Sequence, residues 1–277
     1  MSFVLSIEVS RNEDYFPAVH PIAFHIGNVA IHWYGILVAI GFLAGFWTAS
    51  RRATLDGLSS ESVADIGPWL IVGGLVGARL LYVITYWQED FSGQPLTNVF
   101  KIREGGLVFY GGFIGAALCG IFYVKKNRIP TWKMADALAP SIALGHAFGR
   151  LGCLMTGCCY GKECSLPWSI RFPRDHVTHP HPVHPTQIYE SVFNFALFAA
   201  LAWFYRRKKF DGQVFALYLM AYALLRAVNE VFRGDYEPSK HWGILTPGQL
   251  TGILIMTAGI GLWCFCQKQA RQEKQTT

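Results

Sequence analysis

Long apolar blocks recur along this chain, each about as long as a bilayer is thick, with the charged residues gathered between them. A hydrocarbon core of about 30 Å is crossed by roughly 20 apolar residues in a helix. Inside it, only helices and closed barrels satisfy their own backbone groups. Seven blocks meet that length, at about 28–49, 67–87, 106–124, 136–156, 187–205, 212–230 and 246–266. The pattern predicts an all-α polytopic membrane protein of about seven transmembrane helices, a single integral-membrane domain over residues 1–277. Of the 277 residues, 52% are hydrophobic and 15% charged, where soluble proteins carry about 25% charged residues. That balance excludes a disordered chain, a nucleic-acid module and an ordinary soluble enzyme. The mixed, acidic first residues give no sign of a cleavable leader.

The basic residues set an expected orientation. Arg51, Arg52, Lys125, Lys126, Arg128, Lys133, Arg206, Arg207, Lys208, Lys209, Lys268, Arg271 and Lys274 fall on one side of the blocks. The smaller opposite set is Arg11, Lys101, Arg103, Lys162, Arg171, Arg174, Arg233 and Lys240. Positive charge concentrates in cytoplasmic loops, so the C-terminus is expected in the cytoplasm and the N-terminus outside. The longest segment between blocks, about 157–186, then lies on the outer face. Long structured loops of this kind are usually functional.

Arg79, Arg150 and Arg226 lie within blocks. A charge in hydrocarbon costs at least about 2.5 kcal/mol, so such residues are functional candidates, with an internal ion pair or snorkelling as the alternative. Arg150 and Arg226 each sit about 14 residues from a cytoplasmic helix start, roughly 21 Å up the span at 1.5 Å per residue; Arg79 is slightly lower. Clustered guanidinium groups call for an anion. Glu230, four residues after Arg226 and on the same face, is one candidate. One carboxylate does not neutralise three arginines, which favours a phosphate-bearing ligand held bidentately. Gly105-Gly106 and Gly111-Gly112 flank Leu107-Val108-Phe109-Tyr110; paired glycines let the backbone turn, expose N–H groups or admit a close neighbour.

These residues resemble one family, the bacterial phosphatidylglycerol–prolipoprotein diacylglyceryl transferases. Gly77-Ala78-Arg79-Leu80 is similar to that family's G-[GA]-R-L. The segment from Gly105 to Gly112 resembles its GG-[LM]-x-[FW]-[HY]-GG. Gly149-Arg150-Leu151-Gly152, running on to Gly157 and Gly161, resembles the start and glycine frame of G-R-x-G-N-F-x-N-x-E-x-x-G. Pro185-Thr186-Gln187-Ile188-Tyr189-Glu190 matches P-[ST]-Q-[LI]-Y-E, and Arg226 to Arg233 matches R-[FA]-x-x-E-x-[FL]-R. The likeness runs from His32-Trp33-Tyr34-Gly35 to the last block.

The resemblance implies an inner-membrane enzyme with its active site toward the periplasmic side. It would move the diacylglyceryl group of phosphatidylglycerol onto the lipobox cysteine of a preprolipoprotein signal peptide, forming a thioether and releasing glycerol-1-phosphate. Neither a cofactor nor a metal is implied. The nucleophile belongs to the substrate, so the enzyme's tasks are to hold the phosphate, stabilise the leaving group and help remove the thiol proton. Arg150 and Arg226 suit the first two, with Glu230 orienting Arg226 or taking a proton. Arg79, Tyr34, Tyr222 and the four glycines Gly105, Gly106, Gly111 and Gly112 are the expected substrate-binding residues. Tyr34 and Tyr222 are equally read as buried, capped tyrosines.

The chain departs from the family at three positions. Tyr110 stands where many members have a histidine, Cys153 where the motif has Asn, and Cys158 where it has Glu. Tyrosine, with a reference pKa near 10, is a poor base. His146, four residues before Arg150, offers a local substitute with a reference pKa near 6.5, or is a structural histidine bonded to a carbonyl. Cys153, Cys158, Cys159 and Cys164, with His176, His179, His181 and His184 soon after, leave three readings open: structural disulfides or packed thiols, a zinc or copper site, and thiol–disulfide exchange. The rival from another class is a membrane thiol–disulfide oxidoreductase using Cys153, Cys158 and Cys159. A further rival is a non-catalytic transporter or lipid-binding protein.

Overall fold

The computed structural model describes residues 19–102, 105–235 and 246–276; Arg11, Arg103 and Lys240, which entered the loop charge count, lie outside them. Seven α-helices are present among the described residues: α1 (Trp33–Ala53), α2 (Ser60–Thr85), α3 (Phe109–Lys126), α4 (Thr131–Thr156), α5 (Thr186–Tyr205), α6 (Gln213–Phe232) and α7 (Pro247–Thr276). Five of them, α1, α2, α5, α6 and α7, are long and apolar enough to cross a membrane. The other two fall short for compositional reasons. Helix α3 has 18 residues and ends on Lys125-Lys126, while α4 carries Lys133, Asp136, His146 and Arg150. Leu43, Trp47, Ile84, Phe113, Leu118 and Trp203 stand exposed, an arrangement that suits lipid rather than water. The chain is a mostly helical, multi-pass membrane protein.

The all-α expectation needs one correction. An antiparallel hairpin of β1 (Ile22–Ile26) and β2 (Val29–His32) precedes α1, with Ile26 paired to Val29. Residues 28–32, assigned to the first span, are therefore turn and strand. Gly27-Asn28 makes the two-residue connection, with Gly27 at φ 59°, and the flanking apolar residues alternate as a strand requires.

The described chain divides into two compact units, each assembled from three separate stretches. In the unit formed by Leu43–Ala143, Phe198–Leu219 and Ala258–Thr277, α2 lies against α3 through glycines. A Cβ on Gly77 would collide with the Gly111 carbonyl and stand 2.9 Å from the Gly115 Cα, and one on Gly73 would stand 2.6 Å from the Gly115 carbonyl. Small residues at this spacing let two helix backbones touch. In the same unit Asp136 accepts from the Gly212 and Phe215 amides, both at 2.9 Å, and so caps the start of α6. Lys208 bridges Asp56, Asp136 at 3.1 Å and Asp211 at 3.2 Å. Burial pulls the Lys208 ammonium toward neutrality, but the Asp56 and Asp136 carboxylates outweigh it and hold its pKa above the ordinary lysine value.

The other unit takes Met1–Phe42, Leu144–Leu197 and Met220–Thr257. Its core joins Val19, Leu154, Ile170, Phe172 and Val183, with Tyr160 and Ile188 packed against them. The segment 157–186 is ordered by short antiparallel bridges, Gly161 with Arg233 and Val183 with both Glu163 and Ile170. It is a folded cap on its own apolar centre, not a free loop.

Candidate active site

Helices α4, α5 and α6 converge on a carboxylate absent from the sequence-based candidates. Glu190 sits one turn into α5, whose first amides at Ile188 and Tyr189 bond the Pro185 carbonyl at 2.9 and 3.1 Å. From α4, Arg150 Nη2 lies 3.1 Å from Glu190 Oε1, and His146 Nε2 lies 3.3 Å from the same oxygen. From α6, Asn229 donates to Glu190 Oε2 at 2.9 Å and Arg226 Nη1 stands 3.9 Å from it. Arg226 Nη2 is also 2.8 Å from Glu230 Oε2, and Thr246 donates to Glu230 Oε1 at 2.9 Å. Gly248 is the close approach that permits this, since a Cβ there would stand 2.5 Å from the Glu230 carboxyl carbon.

Spacing builds the network. His146 and Arg150 are four residues apart on α4, as are Tyr222, Arg226 and Glu230 on α6, so each set shares a helix face. The ring of Tyr222 lies 5.4 Å from that of His146. Ser191 ties α5 to α4 by donating to the Ala147 carbonyl at 3.0 Å. Burial is high: 5% of the Glu190 side chain is exposed, 12% of Arg226 and 15% of Arg150. Removing either partner of such a pair leaves an uncompensated charge.

The charge argument from sequence is corrected here. Two guanidinium and two carboxylate groups cancel, so Arg150 and Arg226 do not need an outside anion for neutrality. Glu190 supplies the second negative charge. Its signal is present in the sequence, because an acid within an apolar helix calls for a cationic partner. What the geometry leaves available is narrower. Arg150 Nε donates to His146 Nε2 at 3.1 Å and its Nη2 meets Glu190, while its Nη1 takes no protein partner among the described residues. His146 Nε2 is a second adaptable atom. A single ring nitrogen accepts from Arg150 or donates to Glu190, not both, so the tautomer of His146 selects between the two contacts.

The remaining expected residues fall as follows. Tyr34, on α1, packs at Gly152 of α4, where a Cβ would stand 2.8 Å from its ring. Arg79, on α2 in the other unit, donates to the carbonyls of Val99 at 2.7 Å, Asn98 at 2.8 Å, Gly105 at 2.9 Å and Gly106 at 3.1 Å. Its guanidinium thus braces the Gly105-Gly106 turn, where both glycines have positive φ. Gly111 and Gly112 face α2, with Gly77 and Gly74 as their neighbours, so helix packing accounts for them. Tyr110 is exposed at the first turn of α3, its ring against Phe109.

Of the readings left open for the cysteines, the structure carries no disulfide: all seven are free thiols. Nor do the four histidines gather. His176 donates from Nε2 to the Gly157 carbonyl at 2.7 Å and accepts at Nδ1 from the Thr178 amide at 3.2 Å, which occupies both ring nitrogens. His184 Nδ1 is 3.2 Å from the Tyr189 hydroxyl, and His181 lies 3.9 Å from Glu163.

Comparison with known proteins adds the chemistry. Residues 21–265 match the family model for prolipoprotein diacylglyceryl transferase. A protein of Finegoldia magna named phosphatidylglycerol–prolipoprotein diacylglyceryl transferase is 38% identical over 249 residues, covering 90% of this chain and 96% of its own length. Proteins of the same name from Bordetella bronchiseptica and Clostridium tetani are 35% and 33% identical, over 90% and 87% of this chain and 96% and 95% of theirs.

Proposed function

This chain belongs to the prolipoprotein diacylglyceryl transferase family, and from that premise we propose how its residues carry the reaction. It transfers a diacylglyceryl group from phosphatidylglycerol to prolipoproteins. The thiol–disulfide oxidoreductase alternative has no support among the relatives. In our reading all seven helices cross a bacterial inner membrane, with the N-terminus outside, the C-terminus in the cytoplasm and the site toward the periplasm. The positive-inside bias of the loops supports that orientation.

The acceptor is the lipobox cysteine of a preprolipoprotein signal peptide. Its sulfur bonds to the glyceryl carbon of the lipid, and the carbon–oxygen bond to phosphate breaks. The phosphate oxygen leaves with the electron pair as glycerol-1-phosphate. The diester carries one negative charge and the departing monoester gains a second. A guanidinium aimed at that oxygen therefore binds the transition state more tightly than the substrate.

Arg150 takes this role, supported by one observation above the others: its Nη1 is left over after His146 and Glu190 have been served. Arg226, held by Glu230 and close to Glu190, turns a second guanidinium to the same anion. His146 takes the proton of the incoming thiol, which ionises the nucleophile. Once the sulfur has become a neutral thioether, the imidazolium offsets the second negative charge that the departing phosphate gains. Tyr222 and Tyr34 line the headgroup and glyceryl path.

The test is transfer from phosphatidylglycerol to a lipobox peptide by Arg150→Ala and Arg226→Ala proteins whose membrane insertion is intact. Both are expected to lose the reaction. Full activity in both contradicts the phosphate role.

A further inference from the structure

The three cysteines of the Gly157 turn have no part in the mechanism above, yet they are brought together with care. The Sγ atoms of Cys153, Cys158 and Cys159 all lie within 4.8 Å of one another, and all three are free thiols. We propose that Cys153, Cys158 and Cys159 form a three-thiolate binding site for a single zinc ion, whose fourth position is open.

Zinc–thiolate bonds of about 2.3 Å in a tetrahedral site set the sulfurs about 3.8 Å apart, so the trio closes on an ion with shifts of about 1 Å or less. Three sulfurs do not pair off as disulfides without leaving one over, and a bond between the neighbours Cys158 and Cys159 needs a strained ring. A single soft cation satisfies all three at once.

The backbone is built for this grouping. Gly157 and Cys159 both have left-handed φ, 80° and 63°. The second is a conformation that a non-glycine residue adopts at a cost of order 1 kcal/mol or more. It folds the turn back so that the Cys158 amide bonds the Cys153 carbonyl at 3.2 Å. Two buried side chains at the start of α5 fasten it there: Gln187 donates to the Cys158 carbonyl and Thr186 to the Cys159 carbonyl, both at 2.7 Å.

The nearby histidines do not complete the shell, because His176 has both nitrogens occupied. No fourth protein ligand joins the cluster among the described residues, and Cys158 is exposed. Three protein ligands and a vacant position are the pattern of reactive zinc centres, whereas closed structural ones use four. This inference stands apart from the transferase reading, since metal binding is measured without lipid or peptide.

The experiment uses the purified full-length chain, reduced, in lipid nanodiscs. After zinc loading and desalting, elemental analysis should give one zinc per chain. Replacement by cobalt(II) should give the sulfur-to-metal charge-transfer band of a thiolate complex. Cys153→Ser, Cys158→Ser and Cys159→Ser should each weaken zinc binding at least tenfold, while Cys164→Ser and Cys119→Ser leave it unchanged. Cys159→Gly separates binding from folding, because glycine relieves the left-handed strain while removing the thiol; it should melt no lower than the parent yet lose the metal. Zinc well below one per chain in the reduced parent overturns the site. So does equal retention in the Cys153, Cys158 and Cys159 variants.

Discussion

Arg150 Nη2 lies 3.1 Å from Glu190 Oε1, an ion pair between α4 and α5 in which 15% and 5% of the two side chains are exposed. The second guanidinium, Arg226, reaches the other oxygen of the same carboxylate at 3.9 Å. Glu190 is thus the electrostatic centre of the site, and three of the four side chains that meet its carboxylate, Arg150, His146 and Arg226, are candidates from sequence alone.

Glu190→Gln keeps the shape and removes the charge. Arg150 and Arg226 then face each other with only Glu230 to offset them. Loss of one member of a buried pair costs about 3 kcal/mol, so the melting temperature in nanodiscs should fall clearly. Transfer should drop about a hundredfold, because the guanidinium groups lose their fixed positions. A variant with parental stability and rate would remove Glu190 from the account.

His146→Phe preserves the aromatic contact with Tyr222 and deletes the proton carrier. Positioned acid–base groups contribute about a hundredfold or more, and the loss should appear in the turnover rate with the phosphatidylglycerol concentration dependence little changed. An unaltered rate assigns proton removal elsewhere, Tyr110 being the remaining sequence candidate.

The α2–α3 contact is tested away from the site. Gly77→Leu forces side-chain atoms into the Gly111 carbonyl and the Gly115 backbone. Overpacking of this kind costs about 1–3 kcal/mol, so the variant should melt lower and lose some yield of inserted protein. Gly149→Ala, where a Cβ meets nothing within 4 Å, is the control and should melt like the parent.

Lys208 makes stability depend on alkaline pH. Its folded pKa is raised by Asp56 and Asp136, so its contribution is complete below the unfolded lysine value near 10.4 and disappears as pH climbs through the folded one. Lys208→Met should lower the melting temperature at neutral pH and flatten the alkaline decline seen in the parent. An equally steep decline in both proteins would assign it to other groups.

Much of the helical framework is legible in the sequence because hydrocarbon admits so few backbone solutions; each expected span overlaps one observed helix. The hairpin at Ile22–His32 was hidden because its alternating apolar residues run without a break into α1, and only Gly27-Asn28 marks the turn. Arg150, Arg226, Glu230 and His146 could be found from helical spacing and depth, which are local properties. Glu190 could not be given its role that way, since its partners come from two other helices and only tertiary structure brings them near. The bracing of Gly105-Gly106 by Arg79 was obscured for the same reason: an arginine far from carboxylates looks unpaired until four backbone carbonyls turn toward it.

The most direct measurement is the mass of a lipobox peptide incubated with the purified chain in nanodiscs of phosphatidylglycerol. The account predicts a gain of one diacylglyceryl group on the peptide cysteine, stable to neutral hydroxylamine, which would cleave a thioester, with release of glycerol-1-phosphate and no gain when Arg150 is alanine. An unmodified peptide with the parent protein, or an undiminished gain with Arg150→Ala, would contradict it.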